Sequence, residues 1–314
     1  MIHICLSTNQ AYIIFTKMCI YNIICRKKPE TELVFYVLAD NFIFEQKPFD
    51  VFNNVSGVAV ITIPMDSNHL LPRVDTKKLV ATRPGLPKTM YLRFLAPVIP
   101  QLRYVNRLLY IDPDMVCRRD ITDLYNTDIH NHPLAMMKDS FYIRYDDDGK
   151  RMTKELCGYN AGLIIMDLPK LRKLNFTGLC MRMVQTHPYN DQAIINQLFH
   201  DTVYPLLPTA QFPIHNLVQH IKNMDDIEKW NKFHGTNYTS IEEIIRQSYF
   251  YHFHEDKSWQ MKIPIIKAFW EFSLARLAKF EFSGVAELID PNEDQQWDDR
   301  MLAIINKKEG MGEA

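Results

Sequence analysis

Short apolar runs alternating with helix-forming stretches fill the first third of this chain, and they restrict its fold more than any other feature. IHICLS (2–7), ELVFYVLAD (32–40) and VAVITIP (58–64) are rich in aliphatic and β-branched residues and have strand length. Between the first two, residues 11–28 read as a helix that stops before Pro29. KTMYLRFLAPVIP (88–100) carries apolar residues at helical spacing between prolines, and RLLYIDPD (107–114) is a further strand. This alternation implies βαβ units, an α/β class and a Rossmann-like mixed, mostly parallel central sheet flanked by helices. Ligands of such sheets sit beyond the carboxyl ends of the strands. The aspartates that close RLLYIDPD lie at such an end.

The second half is less regular. PLAMMKDS (133–140) and YNAGLIIMDL (159–168) read as strands, DQAIINQLFH (191–200) as a helix, and SYFYHFHED (248–256) as an aromatic strand ending in charge. Residues 264–282 are expected to be helical. Beyond Gly284 the chain turns acidic, and its end, NKKEGMGEA (306–314), reads as frayed. No repeat or low-complexity linker interrupts the chain.

Bulk properties exclude several classes. A formal net charge of −1 over 314 residues argues against a dedicated nucleic-acid binder, which would carry a basic balance. Cys5, Cys19, Cys25, Cys117, Cys157 and Cys180 form no CxxC pair, and several lie in apolar runs. They read as reduced core thiols of a cytosolic protein. The first residues show no basic region followed by a long apolar stretch, so no signal peptide is expected. No run reaches the about 20 apolar residues of a membrane span.

Asp112 and Asp114 flank Pro113. In extended backbone, residues i and i+2 point to one side, so both carboxylates can aim at one point. Pro113 favours that extended conformation at Asp112. Two carboxylates converging in a partly buried site repel, and one is forced toward protonation unless a cation joins them. A hard divalent ion with oxygen ligands removes the conflict. The competing reading is a turn with both carboxylates solvated.

Five segments in order give the chain a family. LSTNQAY (6–12), LLYIDPDMVC (108–117), GYNAGLIIMDL (158–168), NDQAIIN (190–196) and HFHEDKSW (252–259) together resemble the retaining glycosyltransferases of family eight, over about residues 2–259. The resemblance implies a GT-A type catalytic domain at 1–259, with 260–314 as a helical C-terminal extension. It also implies transfer of a hexose, glucose or galactose, from a UDP-sugar donor with retention of configuration. The acceptor it implies is an oligosaccharide or glycolipid, of the lipopolysaccharide or lipooligosaccharide kind or another surface glycan.

Site residues follow from the same resemblance. Asp112, Asp114 and His252 would hold manganese, with magnesium as the alternative. Leu6, Thr8, Asn9, Tyr12, Pro113 and Lys257 would bind the nucleotide. Arg93, Asp112, Asn160, Ala161, Asp191 and Gln192 would meet the donor sugar, and Asp139, Asp191 and Gln192 would serve catalysis. Gln192 is a poor nucleophile, which favours front-face transfer over a covalent intermediate. The closing segment is one residue short of the family pattern, lacks its glycine and has Ser258 where proline is usual. His254 thereby competes with His252 for the metal.

Plainer roles stand beside these. Thr8 or Asn9 can cap a helix that starts near Tyr12. Asp191 can cap DQAIINQLF. Lys257 can be a solvated lysine, Arg93 a surface ion pair and His252 a structural imidazole. Residues 262–279 interleave Lys262, Lys267, Arg276 and Lys279 with aromatics, a pattern that suits either peripheral contact with the inner membrane face or packing on the catalytic domain. A nucleotide-sugar-binding protein without transfer, or a UDP-sugar hydrolase, would fit the same fold.

Overall fold

The computed structural model describes residues 1–40, 47–72, 74–79, 86–139, 142–145, 151–155, 158–213, 227–253, 264–287, 289 and 291–309. The three N-terminal apolar runs are strands β1 (Ile2–Thr8), β2 (Leu33–Asp40) and β3 (Val58–Met65). β4 (Arg107–Ile111) and the short β5 (Met115–Cys117) flank the aspartate pair. β6 (Leu134–Asp139), β7 (Tyr142–Tyr145), β8 (Arg151–Glu155) and β9 (Gly158–Asp167) follow. β10 (Val203–Leu206), β11 (Phe212–Pro213) and β12 (Phe250–His252) complete the described strands.

Among the described residues, seven strands form the central sheet in the order β3–β2–β1–β4–β9–β6–β10. β3, β2, β1 and β4 are mutually parallel, while β9 runs antiparallel to both of its neighbours, β4 and β6. β1 and β2 are buried almost throughout, as continuous apolar runs in a covered parallel sheet must be. β3 instead alternates buried and exposed positions, in keeping with its place at the sheet edge. Alternation in the middle strands feeds two cores. Leu109, Ile111, Leu163 and Ile165 face one cluster, and Leu108, Tyr110, Ile164 and Met166 face the other.

Helix α1 (Ile13–Ile24) connects β1 to β2. It is shorter than the span 11–28 read from sequence. Residues Gln10–Tyr12 wind as a 3₁₀ turn, and the N–H groups of Arg26 and Lys27 reach back three residues rather than four. The stretch Lys88–Val98, expected as an ordinary helix, is a 3₁₀ helix with Pro97 inside it. Proline has no N–H to donate and crowds the carbonyl four residues back, so an α-helical register fails there. The tighter winding still buries Tyr91, Leu92, Arg93 and Phe94. α2 (Phe176–Thr186) and α3 (Asp191–Phe199) cover the same face of the sheet.

A second, three-stranded sheet in the order β11–β12–β5 stands beside the first. The aromatic strand is shorter than its sequence suggests. Ser248 ends the helix α4 (Ile241–Gln247), and the Tyr249 N–H bonds to Thr209 O outside the ladder. His254, Lys257, Ser258 and Lys262 lie outside the described residues.

The C-terminal helix α5 (Pro264–Ser283) packs Trp270 against Phe15 (4.9 Å between ring centroids) and Phe280 against Tyr21 (5.3 Å), both pairs tilted. The acidic stretch is helical up to Glu309, so the helix takes in residues 306–309 of the end read as frayed, and residues 310–314 lie outside the described residues. Residues Pro291–Glu309 form a further helix, α6, that buries Trp297 and Leu302. Proline at its first position with Glu293 and Asp294 in its first turn is a helix-start signature that the acidic composition masked. Cys5, Cys19, Cys25, Cys117 and Cys180 are free and buried. No helix among the described residues is long and apolar enough to cross a membrane.

Candidate active site

The chain runs from β1 outward to β3, then returns to place β4 on the other flank of β1. Such a reversal of strand order opens a crevice beyond the carboxyl ends of the two strands. Because β9 is antiparallel, its first residues lie at the same edge. Ile111 pairs with Leu163 and Asp139 with Gly158, and the Asp112 N–H donates to Gly162 O (2.7 Å). The ends of β1, β4 and β6 and the start of β9 therefore bring Thr8, Asp112, Asp139 and Asn160 to one place.

β5 and β12 add the histidine. Their antiparallel pairing sets His252 opposite Met115, and the Phe253 N–H bonds to Asp114 O (3.1 Å). His252 Nε2 lies 3.5 Å from Asp114 Oδ1. Ligand atoms of Asp112, Asp114 and His252 all fall within 4.8 Å of one another. Two carboxylates and an imidazole at this spacing suit a divalent ion of the manganese or magnesium kind, so the donor set fits the implied metal. Burial pushes the Asp112 carboxyl above the usual carboxylate range, Arg93 pulls it back, and Asp114 and Asp191 push it up again. This is the repulsion expected of converging carboxylates. Gly162 lies beneath the imidazole. A Cβ there would sit 2.4 Å from His252 Cε1 and 2.7 Å from Met115 Cε, so only glycine leaves the ring its place.

Arg93 is no surface residue. Its side chain is 3 % exposed, and its Nη2 contacts Asp112 Oδ1 (2.7 Å) and Asp191 Oδ2 (2.9 Å). Nε donates to Met90 O (2.9 Å), Nη1 donates to Ala161 O, and the guanidinium lies 4.4 Å from the centroid of the Tyr110 ring. Burial alone would lower its pKa, but Asp112 and Asp191 outweigh that and hold it charged. Asp191 does not cap its helix. Asn190 is the cap, its side chain accepting from the Ala193 N–H (2.7 Å), which leaves Asp191 one residue inside to face Arg93.

A chain of amides completes the floor. Gln192 Nε2 donates to Asp139 Oδ2 (3.0 Å), and its Oε1 accepts from the Ala161 N–H (3.2 Å). Asn160 Nδ2 donates to the same Asp139 oxygen (3.3 Å), and Asn160 Oδ1 accepts from the Gly162 N–H (2.9 Å). Gln211, fully buried, donates to Asn160 Oδ1 (3.1 Å). Nothing in TAQFP flags Gln211 in the sequence. Tyr110, which donates to Asp112 Oδ1 (3.1 Å), was readable as the i−2 neighbour of Asp112, which directly follows β4.

The nucleotide set is more dispersed. Leu6 is fully buried in the core, and the Thr8 side chain is buried with its hydroxyl accepting from Thr16 (2.8 Å). Asn9 makes no side-chain cap bond and reaches Thr89 instead (3.4 Å). Tyr12 is half-buried, edge-on to Phe15. Pro113 is buried between the two aspartates.

The model for glycosyl transferase family 8 matches residues 3–261. General stress protein A of Bacillus subtilis is 25 % identical over 164 residues, 48 % of this chain and 52 % of its own. The lipopolysaccharide 1,2-glucosyltransferase of Escherichia coli is 27 % identical over 176 residues, 53 % and 49 % of the two chains. The chain thus spans about half the length of these curated relatives. Among solved structures, the galactosyltransferase LgtC with donor and acceptor sugar analogs superposes with a TM-score of 0.63 at 18 % identity, covering 87 % of this chain and 96 % of LgtC. The central sheet is accordingly of the GT-A type, and the chain belongs to glycosyl transferase family 8.

Proposed function

We propose that this protein moves a hexose, glucose or galactose, from a UDP-sugar to a saccharide acceptor with retention of configuration. The observation that carries the reading is the convergence of Asp112, Asp114 and His252 at the carboxyl edge of the sheet. These three would hold manganese, or magnesium in its place. When bound, the ion supplies Lewis-acid stabilisation of the charge gathering on the departing diphosphate. Thr8, Asn9 and Tyr12 line the crevice at the end of β1 for the base and ribose, and Lys257 would add a point charge for the diphosphate.

Arg93 fixes the orientation of Asp112 and Asp191 and, through Ala161 O, of the backbone at the start of β9. Asp139 and the Ala161 N–H hold the two ends of the Gln192 amide. The amide oxygen keeps a second lone pair for positive charge developing on the sugar, with Asp139 and Asn160 turned to its hydroxyls. Among these groups the carboxylates are engaged by Arg93 or by amides, which favours front-face transfer over a covalent glycosyl-enzyme.

The acceptor is proposed to be an oligosaccharide or glycolipid of the lipopolysaccharide kind, met in the cytoplasm at the inner membrane face. Residues 1–259 would form the catalytic unit and 260–314 its helical extension. Exposed Phe282 in the last turn of α5 and Val285 just beyond it support peripheral membrane contact. The deciding experiment screens UDP-sugars with manganese and follows UDP release with and without acceptor. Asp114→Ala is expected to abolish release while leaving the circular dichroism spectrum intact. Unchanged turnover in that variant would remove the metal assignment, and a sugar trapped covalently on Asp191 or Gln192 would remove the front-face mechanism.

A further inference from the structure

His252 sits on a strand of only three residues. A strand this short has few ladder bonds to fix its register, and a one-residue slip would turn the imidazole to the opposite face. The two faces of β12 are anchored differently. Phe250, on the same side as His252, enters the core shared with α1 and α5. Tyr251, on the other side, enters a separate cluster with Trp297 and Leu302 of α6.

The tyrosine is more than packing there. Its hydroxyl donates to Asp298 Oδ1, and the Arg118 guanidinium lies 4.7 Å from its ring centroid. Arg118, which directly follows β5, also contacts Asp298, and donates to Asp294 Oδ1 (2.6 Å) and Asp294 O (2.9 Å). Arg26, just beyond α1, grips Asp294 from the other side (2.6 and 3.0 Å). Arg118 and Asp298 are 6 % and 8 % or less exposed by residue and side chain respectively. Two guanidiniums, two carboxylates and a phenol thus form a charge-balanced cluster, buried at Arg118, Asp298 and Tyr251 and half-buried at Arg26 and Asp294. It ties β5 and β12, the strands flanking Asp114 and carrying His252, to one helix. Buried polar networks with their partners met tend to fix one arrangement of the elements that bear them.

We infer that Arg118, Asp298 and Tyr251 are positioning residues for the metal centre: α6 acts as a brace that sets His252 at coordinating distance from Asp112 and Asp114. The inference rests on the metal reading above. It assigns α6 a task that neither the sheet nor the aspartate motif performs, since both would persist if β12 slid.

The test uses the full chain with manganese, alone and with UDP. Calorimetry gives the manganese Kd, and electron spin echo spectroscopy detects coupling of the bound ion to an imidazole nitrogen. Tyr251→Phe and Asp298→Asn are expected to weaken manganese binding about tenfold, the lower end of the cost of losing an outer support of a metal ligand. Both should also diminish the nitrogen coupling at temperatures where each variant is fully folded. Val184→Ala, which opens a cavity in the core on the opposite side of the sheet, should lower the melting temperature yet keep affinity and coupling. Should Asp298→Asn fail to fold, Tyr251→Phe alone decides. Unchanged Kd and coupling in folded Tyr251→Phe would overturn the brace while leaving the metal site standing. A wild-type chain that takes up no manganese would overturn both.

Discussion

Two buried clusters of arginine and aspartate lie on either side of β5, and they are composed differently. At the sheet edge, Arg93 alone faces Asp112 and Asp191, with Asp114 beside them. Behind β12, Arg26 and Arg118 face Asp294 and Asp298 one for one. The second cluster has as many guanidiniums as carboxylates, although burial raises the Asp298 carboxyl there too. The first has more carboxylate than guanidinium, and burial drives Asp112 toward protonation. A cluster left short of positive charge suits a cation that arrives with the substrate, whereas a balanced one suits a permanent joint.

The largest effect should come from removing a carboxylate of the unbalanced cluster. Asp114→Asn is expected to lower UDP release on the order of 10²–10³-fold, the scale seen when one transition-state stabiliser is lost. Its melting temperature without metal should hold or rise, because a repulsion is relieved. Chelation of divalent ions should reproduce the activity loss in the wild type and add nothing in the variant. A large fall in apo stability would show that Asp114 belongs to a structural joint after all.

Arg118→Met tests the opposite cluster. It leaves Asp298 buried without its guanidinium, and breaking a buried pair from one side costs roughly 3–5 kcal/mol. Denaturant titration should therefore show a clear drop in midpoint. Turnover at saturating manganese should survive in the molecules that remain folded. If stability is unaffected, the two clusters do not divide the work as their charges suggest.

Gly162→Ala sits between the two and should move both readouts modestly. The added methyl meets both the His252 ring and the end of Met115 at distances that require each to shift. Overpacking of this kind costs about 1–3 kcal/mol. Met115 can swing its flexible end aside, but the ring contact is the shorter one, so the imidazole must also shift and manganese affinity should fall with stability. A variant as stable and as tight-binding as the wild type would mean the ring has room that the contact distances deny.

The same contrast explains what the sequence disclosed. The parallel strands were legible because buried strands must be apolar; the aspartate pair was legible as a pair, but its carboxylates converge across a turn at Pro113 and Asp114 between β4 and β5 rather than along one extended strand. The helix at Asp191–Phe199 was read correctly, but its cap was not, since Asn190 and Asp191 are both good caps and only the geometry chooses. The helix Pro291–Glu309 falls within the expected helical extension, but its bounds and its buried face went unread because its charges resemble a solvated tail. Two of them, Asp294 and Asp298, find partners about 170 to 180 positions earlier at Arg118, and no local pattern encodes a contact at that separation. Gln211 was missed for the same reason, as it meets Asn160 from 51 residues away.

The smallest effect should come from the residue next to Asp298. Asp299 pairs with Arg246 (2.6 Å), which also contacts Glu242 (2.8 Å), so on paper this triad resembles the buried one. Its side chains are 33 % and 53 % exposed, however, whereas those of Arg118 and Asp298 are 3 % and 8 %. Water and salt screen the outer pair, and exposed pairs contribute about 0–1 kcal/mol. Arg246→Ala should shift the denaturation midpoint by less than Arg118→Met, and raising the salt should erase what difference remains. The Arg118→Met deficit should persist in salt, because a desolvated pair is shielded from it. If both deficits vanish together in salt, burial is not what separates Asp298 from Asp299, and the brace on His252 loses its physical basis.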